Sequence, residues 1–317
     1  MRSIPTLTAG LLATLLPVAS WAEVPKVVTD IGPTSGLVSG VMAGLGTPTV
    51  LVPAGADPHH FQLRPSQARD LANAQAVIWI GHGLTPWLER VIDTTAPDAM
   101  SVELEDAEGM THLAPMFGGE HHHDDEAEDD HDDHDHAEGD HDEEEGHSHG
   151  SIDPHVWLSP DNARAMTIEI AARLSELDPE NAATYAANAD KVMAELDQAE
   201  VEARELLADH HAARLVVFHD AYTYFTDAFD VNVVASLADS EAASPGAAGL
   251  QALRQQITES GADCLFAETQ QPSALVQSLS DDTGVPLGTL DPLAGGTTPG
   301  AVWVELARSI DSCLSSD

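Results

Sequence analysis

Between Glu120 and Gly150 the chain carries nine histidines and sixteen Asp or Glu residues, with no Lys, no Arg and almost nothing apolar. No packed core can be built from such a run, so the folded parts of the protein must form around it. Its imidazoles are His121, His122, His123, His131, His134, His136, His141, His147 and His149. Neutral imidazole suits zinc, copper, nickel and iron, and carboxylates help to neutralise any of them, so the run points to divalent metal. It indicates metal without indicating a preformed site. A solvated loop with no selected role is the bland alternative.

The remainder has room for two domains of ordinary size, with 317 residues and 43% hydrophobic content. A formal charge of -42 argues against nucleic acid or an anionic membrane surface as partner. Removing the sixteen acids of the run from the total of 54 leaves 38 against 12 basic residues, so the folded portion is acidic in its own right. Solubility accounts for that background better than attraction of cations does.

Residues 1–22 read as a secretory signal: Arg2, an apolar run from Ile4 to Val18, then Ser20-Trp21-Ala22 with small residues where a signal peptidase reads. Cleavage is expected after Ala22, giving a soluble protein without direct membrane anchoring. Of the two cysteines, Cys264 and Cys313, neither lies near the cleavage point, which excludes a lipid anchor there and suits a periplasm. In an oxidising compartment the two are expected to bond to each other, closing a loop of about 50 residues, a constraint worth about 3 to 4 kcal/mol. Two buried free thiols are the alternative.

From Val24 onward short apolar runs alternate with helical patterns. Strands are expected at Lys26 to Thr29, Thr49 to Val52, Ala76 to Ile80 and Ser101 to Leu104, with helices around Ser35 to Leu45, Ser66 to Ala74 and Pro86 to Thr94. The second half repeats the order, with strands at Leu215 to Phe218, Val231 to Ala235, Cys264 to Ala267 and Pro286 to Leu290. Its helices are expected near Tyr222 to Phe229, Gly246 to Ser260, Ser273 to Thr283 and Pro299 to Cys313. Such alternation predicts an α/β fold of two doubly wound domains, each a parallel sheet covered on both faces. Asp178 as N-cap, Pro179 at the first helical position and no further Gly or Pro to Leu207 predict one long rigid linking helix over residues 178–211. The lobes are then residues 23–177, with the His/Asp/Glu-rich loop at 118–150, and 212–317. Two helices of a bundle with an unmarked break are the competing reading of the linker.

Outside the acidic run, three histidines have informative neighbours: His59 in ADPHHFQLRPSQ, His155 in IDPHVWLSP and His219 in VVFHDAYTYF. Asp291 in LGTLDPLAGG and Glu268 in FAETQQP also follow expected strands. Ligands of open parallel sheets bind beyond the carboxyl ends of strands, the edge at which His59, His219, Glu268 and Asp291 fall. Both Asp-Pro-His tripeptides place a rigid turn before the imidazole, lowering the entropy of presenting it. One at a time, each histidine is as well explained as a hydrogen-bonded loop residue. His82 is read that way, and His112, His210 and His211 as surface residues. Trp79, Trp87, Trp157 and Trp303 read as core or domain-interface aromatics.

The motifs DPHHFQLRPSQARDLANAQAVIWIG, IDPHVWLSPDNA, FHDAYTYF, FAETQ and GTLDPL, in this order and over nearly the whole mature chain, resemble the zinc-binding solute receptors of ABC importers, the ZnuA family. That resemblance implies capture of Zn(II) as a transported ligand in an interdomain cleft, and its delivery to a membrane permease by a protein expected as a monomer. It implies His59, His155 and His219 as metal ligands, with Asp291 favoured at the fourth position and a water or a tract histidine as substitutes. Some members carry a glutamate directly before the first histidine, where this chain has Pro58. Glu268 is expected to accept a hydrogen bond from a ligand imidazole, and His60 replaces His59 if the register is displaced by one.

Two rivals differ in class. A zinc hydrolase with Glu268 as base lacks support, because the sequence has no HExxH, no GxSxG and no Walker-type loop. A fourth protein ligand would also close the position that catalysis needs, so no enzyme activity is expected. A periplasmic zinc buffer or metallochaperone serving no permease fits the same residues.

Overall fold

The computed structural model describes residues 24–117, 152–238, 247–270, 273–296 and 298–315. The expected signal segment and all nine tract histidines lie outside the described residues.

The first lobe is a four-stranded sheet of β1 (Val27–Thr29), β2 (Thr49–Val50), β3 (Ala76–Trp79) and β4 (Met100–Glu103) in the order β2-β1-β3-β4, every pairing parallel. Helices α1 (Gly32–Val41), α2 (Pro65–Ala72) and α3 (Leu88–Thr95) form its crossovers. The second lobe repeats the plan with β5 (Arg214–His219), β6 (Asn232–Ala238), β7 (Cys264–Glu268) and β8 (Leu287–Leu290) in the order β6-β5-β7-β8, again all parallel. Its helices are α6 (Thr223–Phe229), α7 (Ala247–Ser260), α8 (Ser273–Thr283) and α9 (Ala301–Leu314). Side chains alternate across a strand, which is why the sheets can be buried on both faces. Val27 and Ile78 face one core, whereas Val28, Val77 and Trp79 face another with Leu71, Leu88 and Ile92. The fold is thus the expected pair of doubly wound α/β domains.

One helix links the lobes, as expected, and a further helix of the first lobe precedes it. The helix α4 (Pro160–Leu177) is absent from the sequence expectation, although Ser159 caps it by accepting from Asn162 N and Pro160 opens it. The linking helix α5 (Ala182–Leu207) follows after a 3-10 turn at Pro179–Asn181. It starts later than the Asp178 cap predicts because the Asp178 carboxylate is engaged elsewhere: Oδ2 accepts from Tyr185 Oη at 2.9 Å and Asn181 Nδ2 at 2.7 Å. It also stops short of His210, whose Nε2 meets Asp311 of α9 at 2.9 Å.

At 26 residues α5 is about 39 Å long, and it is gripped from both sides. Its buried face of Tyr185, Ala189, Val192, Leu196, Ala199, Ala203 and Leu207 meets α1 and α4 of the first lobe and α9 of the second. Asn188 Nδ2 donates to Val41 O and Ala43 O at 3.0 and 2.9 Å, capping the end of α1. Gly40 lets α1 approach Val192, and Gly300, at φ 71°, opens α9 where a Cβ would lie 2.7 Å from Ala199 Cβ. One core cluster therefore runs from Val27 through Leu196 to Trp303. Cys264 of β7 and Cys313 of α9 are disulfide-bonded, with Cα atoms 6.4 Å apart, tying the second sheet to its last helix.

Candidate metal centre

His219 is the last residue of β5 and Glu268 the last of β7. These strands are central neighbours in the order β6-β5-β7-β8, so both side chains stand at the switch point where doubly wound sheets bind ligands. Across the cleft the first lobe supplies His59 from the loop after β2 and His155 from the segment leading into α4. Trp87 Nε1 pins the His59 loop by donating to Pro58 O at 2.7 Å.

The two Asp-Pro-His tripeptides fold alike. Asp57 Oδ1 accepts from His59 N at 2.8 Å, and Asp153 Oδ1 accepts from His155 N at 2.9 Å. Each is an aspartate turn that aims the imidazole two residues on.

His59, His155 and His219 converge, with one ring nitrogen from each lying within 4.8 Å of the other two. Ring centroids are 5.5 Å apart for His59 and His155, and 5.3 Å for His155 and His219, in edge-on arrangements. His155 and His219 are only 4% and 8% exposed. His155 Nδ1 lies 2.7 Å from Asp153 Oδ1, and His219 Nδ1 lies 2.6 Å from Glu268 Oε2. A carboxylate only accepts, so each Nδ1 carries the proton and each Nε2 presents a bare lone pair. Those two Nε2 atoms face each other at 3.5 Å. Two lone pairs gain nothing from facing each other unless a cation sits between them. Tetrahedral zinc bonded to imidazole at about 2.0–2.1 Å requires nitrogens roughly 3.3–3.4 Å apart.

Electrostatics keep the imidazoles ready. Burial, reinforced by neighbouring His155, pushes the His59 imidazole down to about 3, so it is neutral at physiological pH. Burial works against the Asp153 carboxylate, but the hydrogen bonds it accepts from His155 N and Nδ1 hold it below the usual range. Glu268 Oε1 accepts from Tyr222 Oη at 3.0 Å, and burial, then the Glu268 charge, raises the Tyr222 phenol well above its ordinary value. A cavity of about 10 Å³ is lined by the three histidines with Pro58, Trp157, Glu268, Gln270, Pro292 and Leu293. That volume is the size of one water or one ion, far below what an organic substrate needs.

Asp291 is not brought into this group. Its Oδ1 accepts from Leu293 N at 2.9 Å and from Gln270 Nε2 at 2.6 Å. Asp291-Pro292-Leu293 is a third aspartate turn of the same kind, with leucine where the other two place histidine. His60 is also separate, its exposed ring lying 3.2 Å from Asp57 Oδ2. His82 pairs with Glu89, and His112 with Glu105 O, both on the surface. Trp157 Nε1 donates to Pro292 O at 2.8 Å and Trp303 Nε1 to Trp157 O at 3.2 Å, so these indoles stitch the lobes together beside the site. The sequence reading passed over Asp153, Tyr222 and Gln270. For Asp153 the signal was present, since it opens the same tripeptide that drew attention to His155.

An arrangement that closes imidazoles from two lobes around a space for one ion defines a two-lobed metal-binding protein. No helix among the described residues is long and apolar enough to cross a membrane. The chain belongs to the ZnuA family, described as zinc-uptake complex component A periplasmic, whose sequence profile matches residues 27–312. It is 41% identical over 306 residues to the high-affinity zinc uptake system protein ZnuA of Paracoccus denitrificans, covering 93% of this chain and 94% of that one. The protein of the same name from Brucella suis is 35% identical over 315 residues, covering 91% of each. A crystal structure of ZnuA superposes with a TM-score of 0.72 at 25% identity over 92% of this chain and 99% of that one. The periplasmic zinc binding protein TroA from Treponema pallidum shares the fold, at 20% identity and a TM-score of 0.71 over 92% of this chain and 99% of TroA.

Proposed function

We propose that this protein is a periplasmic receptor that captures Zn(II) in the interlobe cleft and delivers it to the permease of an ABC importer. His59, His155 and His219 are the protein ligands; Asp153 and Glu268 orient the latter two. The observation that carries this reading is the pair of Nε2 atoms facing each other at 3.5 Å, each ring fixed by a carboxylate on its other nitrogen. Carboxylate–imidazole–metal relays of this kind raise ligand basicity and set ring orientation. Three neutral imidazoles favour zinc and later transition metals over manganese, and discrimination against copper and nickel then rests on geometry and supply.

The mature chain begins after Ala22, acts as a monomer and performs no catalysis. The tract histidines form a weak, multi-site trap that raises local zinc. Interconverting imidazole and carboxylate sites bind less tightly than a preformed cleft, because gathering their ligands at the moment of binding costs entropy. Since His219 stands on the second lobe and His59 and His155 on the first, separating the lobes divides the ligand set, which gives the permease a route to release. The continuous core through α5 favours small rocking over wide hinge closure.

A strain lacking this protein tests the reading. Failure to grow under zinc chelation, rescued by excess zinc or by the wild-type gene but not by His155→Ala, is the expected result. Normal growth of that strain under chelation would instead assign the protein to buffering.

A further inference from the structure

The cavity beside the three imidazoles holds one buried polar group with no partner among the described residues. Of the cavity-lining residues other than the histidines, Pro58, Pro292 and Leu293 have no polar side chain, Trp157 spends its N–H on Pro292 O, and Glu268 is held by His219 and Tyr222. Gln270 remains. Its Nε2 lies 2.6 Å from Asp291 Oδ1. Because a carboxylate only accepts, that contact fixes the orientation of the amide: nitrogen toward Asp291, oxygen away from it. Gln270 Oε1 is buried and has no hydrogen-bond partner among the described residues. An unpaired buried carbonyl is costly in a folded protein and calls for a donor.

A zinc-bound water is such a donor, since its lone pair is engaged with the metal and its protons are strongly polarised. We propose that Gln270 Oε1 accepts a hydrogen bond from a water occupying the fourth coordination position of the zinc, and that Asp291, braced by Leu293 N, aims the Gln270 amide. The inference rests on zinc being held by the three imidazoles. It gives Asp291 a positioning role in place of coordination, and leaves the ion with one exchangeable neutral ligand.

The test uses the full mature chain with one equivalent of zinc and a competing chelator. Gln270→Met keeps the side-chain volume and removes the acceptor. It is expected to weaken zinc binding by about 10- to 100-fold while leaving one tight site, the loss typical of an outer-sphere partner. Asp291→Ala is expected to cost about as much. The double variant should be no worse than the weaker single variant by more than about threefold, because both changes break one chain of contacts. Metal-free thermal unfolding of each variant should remain a single cooperative transition, which separates a loss of zinc binding from a failure to fold. In Co(II)-loaded protein, the alkaline transition of the visible spectrum, which reports the bound water, should move in the same direction in both variants.

Gln270→Met within about twofold of wild type would overturn the proposal, using the scatter expected between independent sites. So would an Asp291→Ala that abolishes tight binding while Gln270→Met is mild and the losses multiply, for Asp291 would then be a ligand. His155→Ala separates the two levels of the account. If it too leaves tight binding unchanged, the coordination reading itself fails; if it alone abolishes binding, only the role of Gln270 falls.

Discussion

Replacing His59 should flatten the acid dependence of stability in the metal-free protein. An unfolded histidine titrates near 6.5, whereas burial and the neighbouring imidazoles push His59 down to about 3. Between those values the unfolded chain binds a proton that the folded chain refuses, so stability rises with pH there and falls as pH drops through 6.5. At pH 5 about 97 of 100 unfolded imidazoles are protonated and almost no folded ones, a difference of about 2 kcal/mol against folding. The carboxylates contribute their own acid dependence, so the informative quantity is a difference between variants. Urea unfolding of metal-free wild type and His59→Gln at pH 7 and pH 5 should show a loss on acidification about 2 kcal/mol smaller in the variant. Equal losses would refute the reasoning. The same property serves capture, because an imidazole that resists protonation keeps its lone pair available to zinc in a mildly acidic medium.

Other perturbations follow from the same geometry. Glu268→Gln removes the acceptor that fixes His219, and calorimetry should show zinc affinity falling by about 10- to 100-fold with one tight site retained. Deleting residues 120–149 should remove weak sites and leave the tight one; its loss would contradict a cleft site built from His59, His155 and His219 alone. His60→Ala should change zinc affinity by less than about threefold, since exposed polar positions away from a site carry little energy, and a large loss would move the first ligand to His60.

The central strands were the most legible because they are buried on both faces and read as apolar runs: Ala76 to Ile80 is the expected span and Ala76–Trp79, buried throughout, is observed. Helix α4 was not, because its buried face mixes Asn162, Ala163 and Thr167 with Met166, Ile170 and Leu174, which dilutes the apolar stripe. Asp178 carried a correct helix-start signal, but its carboxylate is taken by side chains three and seven residues on, Asn181 and Tyr185, which compete with capping of the backbone. In the site, Asp-Pro-His marked two imidazoles because the turn that presents them is local. The part played by Asp291 was hidden for the converse reason. Its turn resembles the other two, yet what the carboxylate touches depends on Gln270, 21 residues earlier, brought near by the pairing of β7 and β8.

X-ray absorption at the zinc edge, on protein given half an equivalent of metal so that only the tightest site fills, tests the central claim most directly. Three imidazoles and one lighter oxygen ligand, with bonds of about 2.0–2.1 Å, are the predicted shell. A shell with fewer than three imidazoles, or one that survives replacement of His155 or His219, would place the metal somewhere other than between the two lobes.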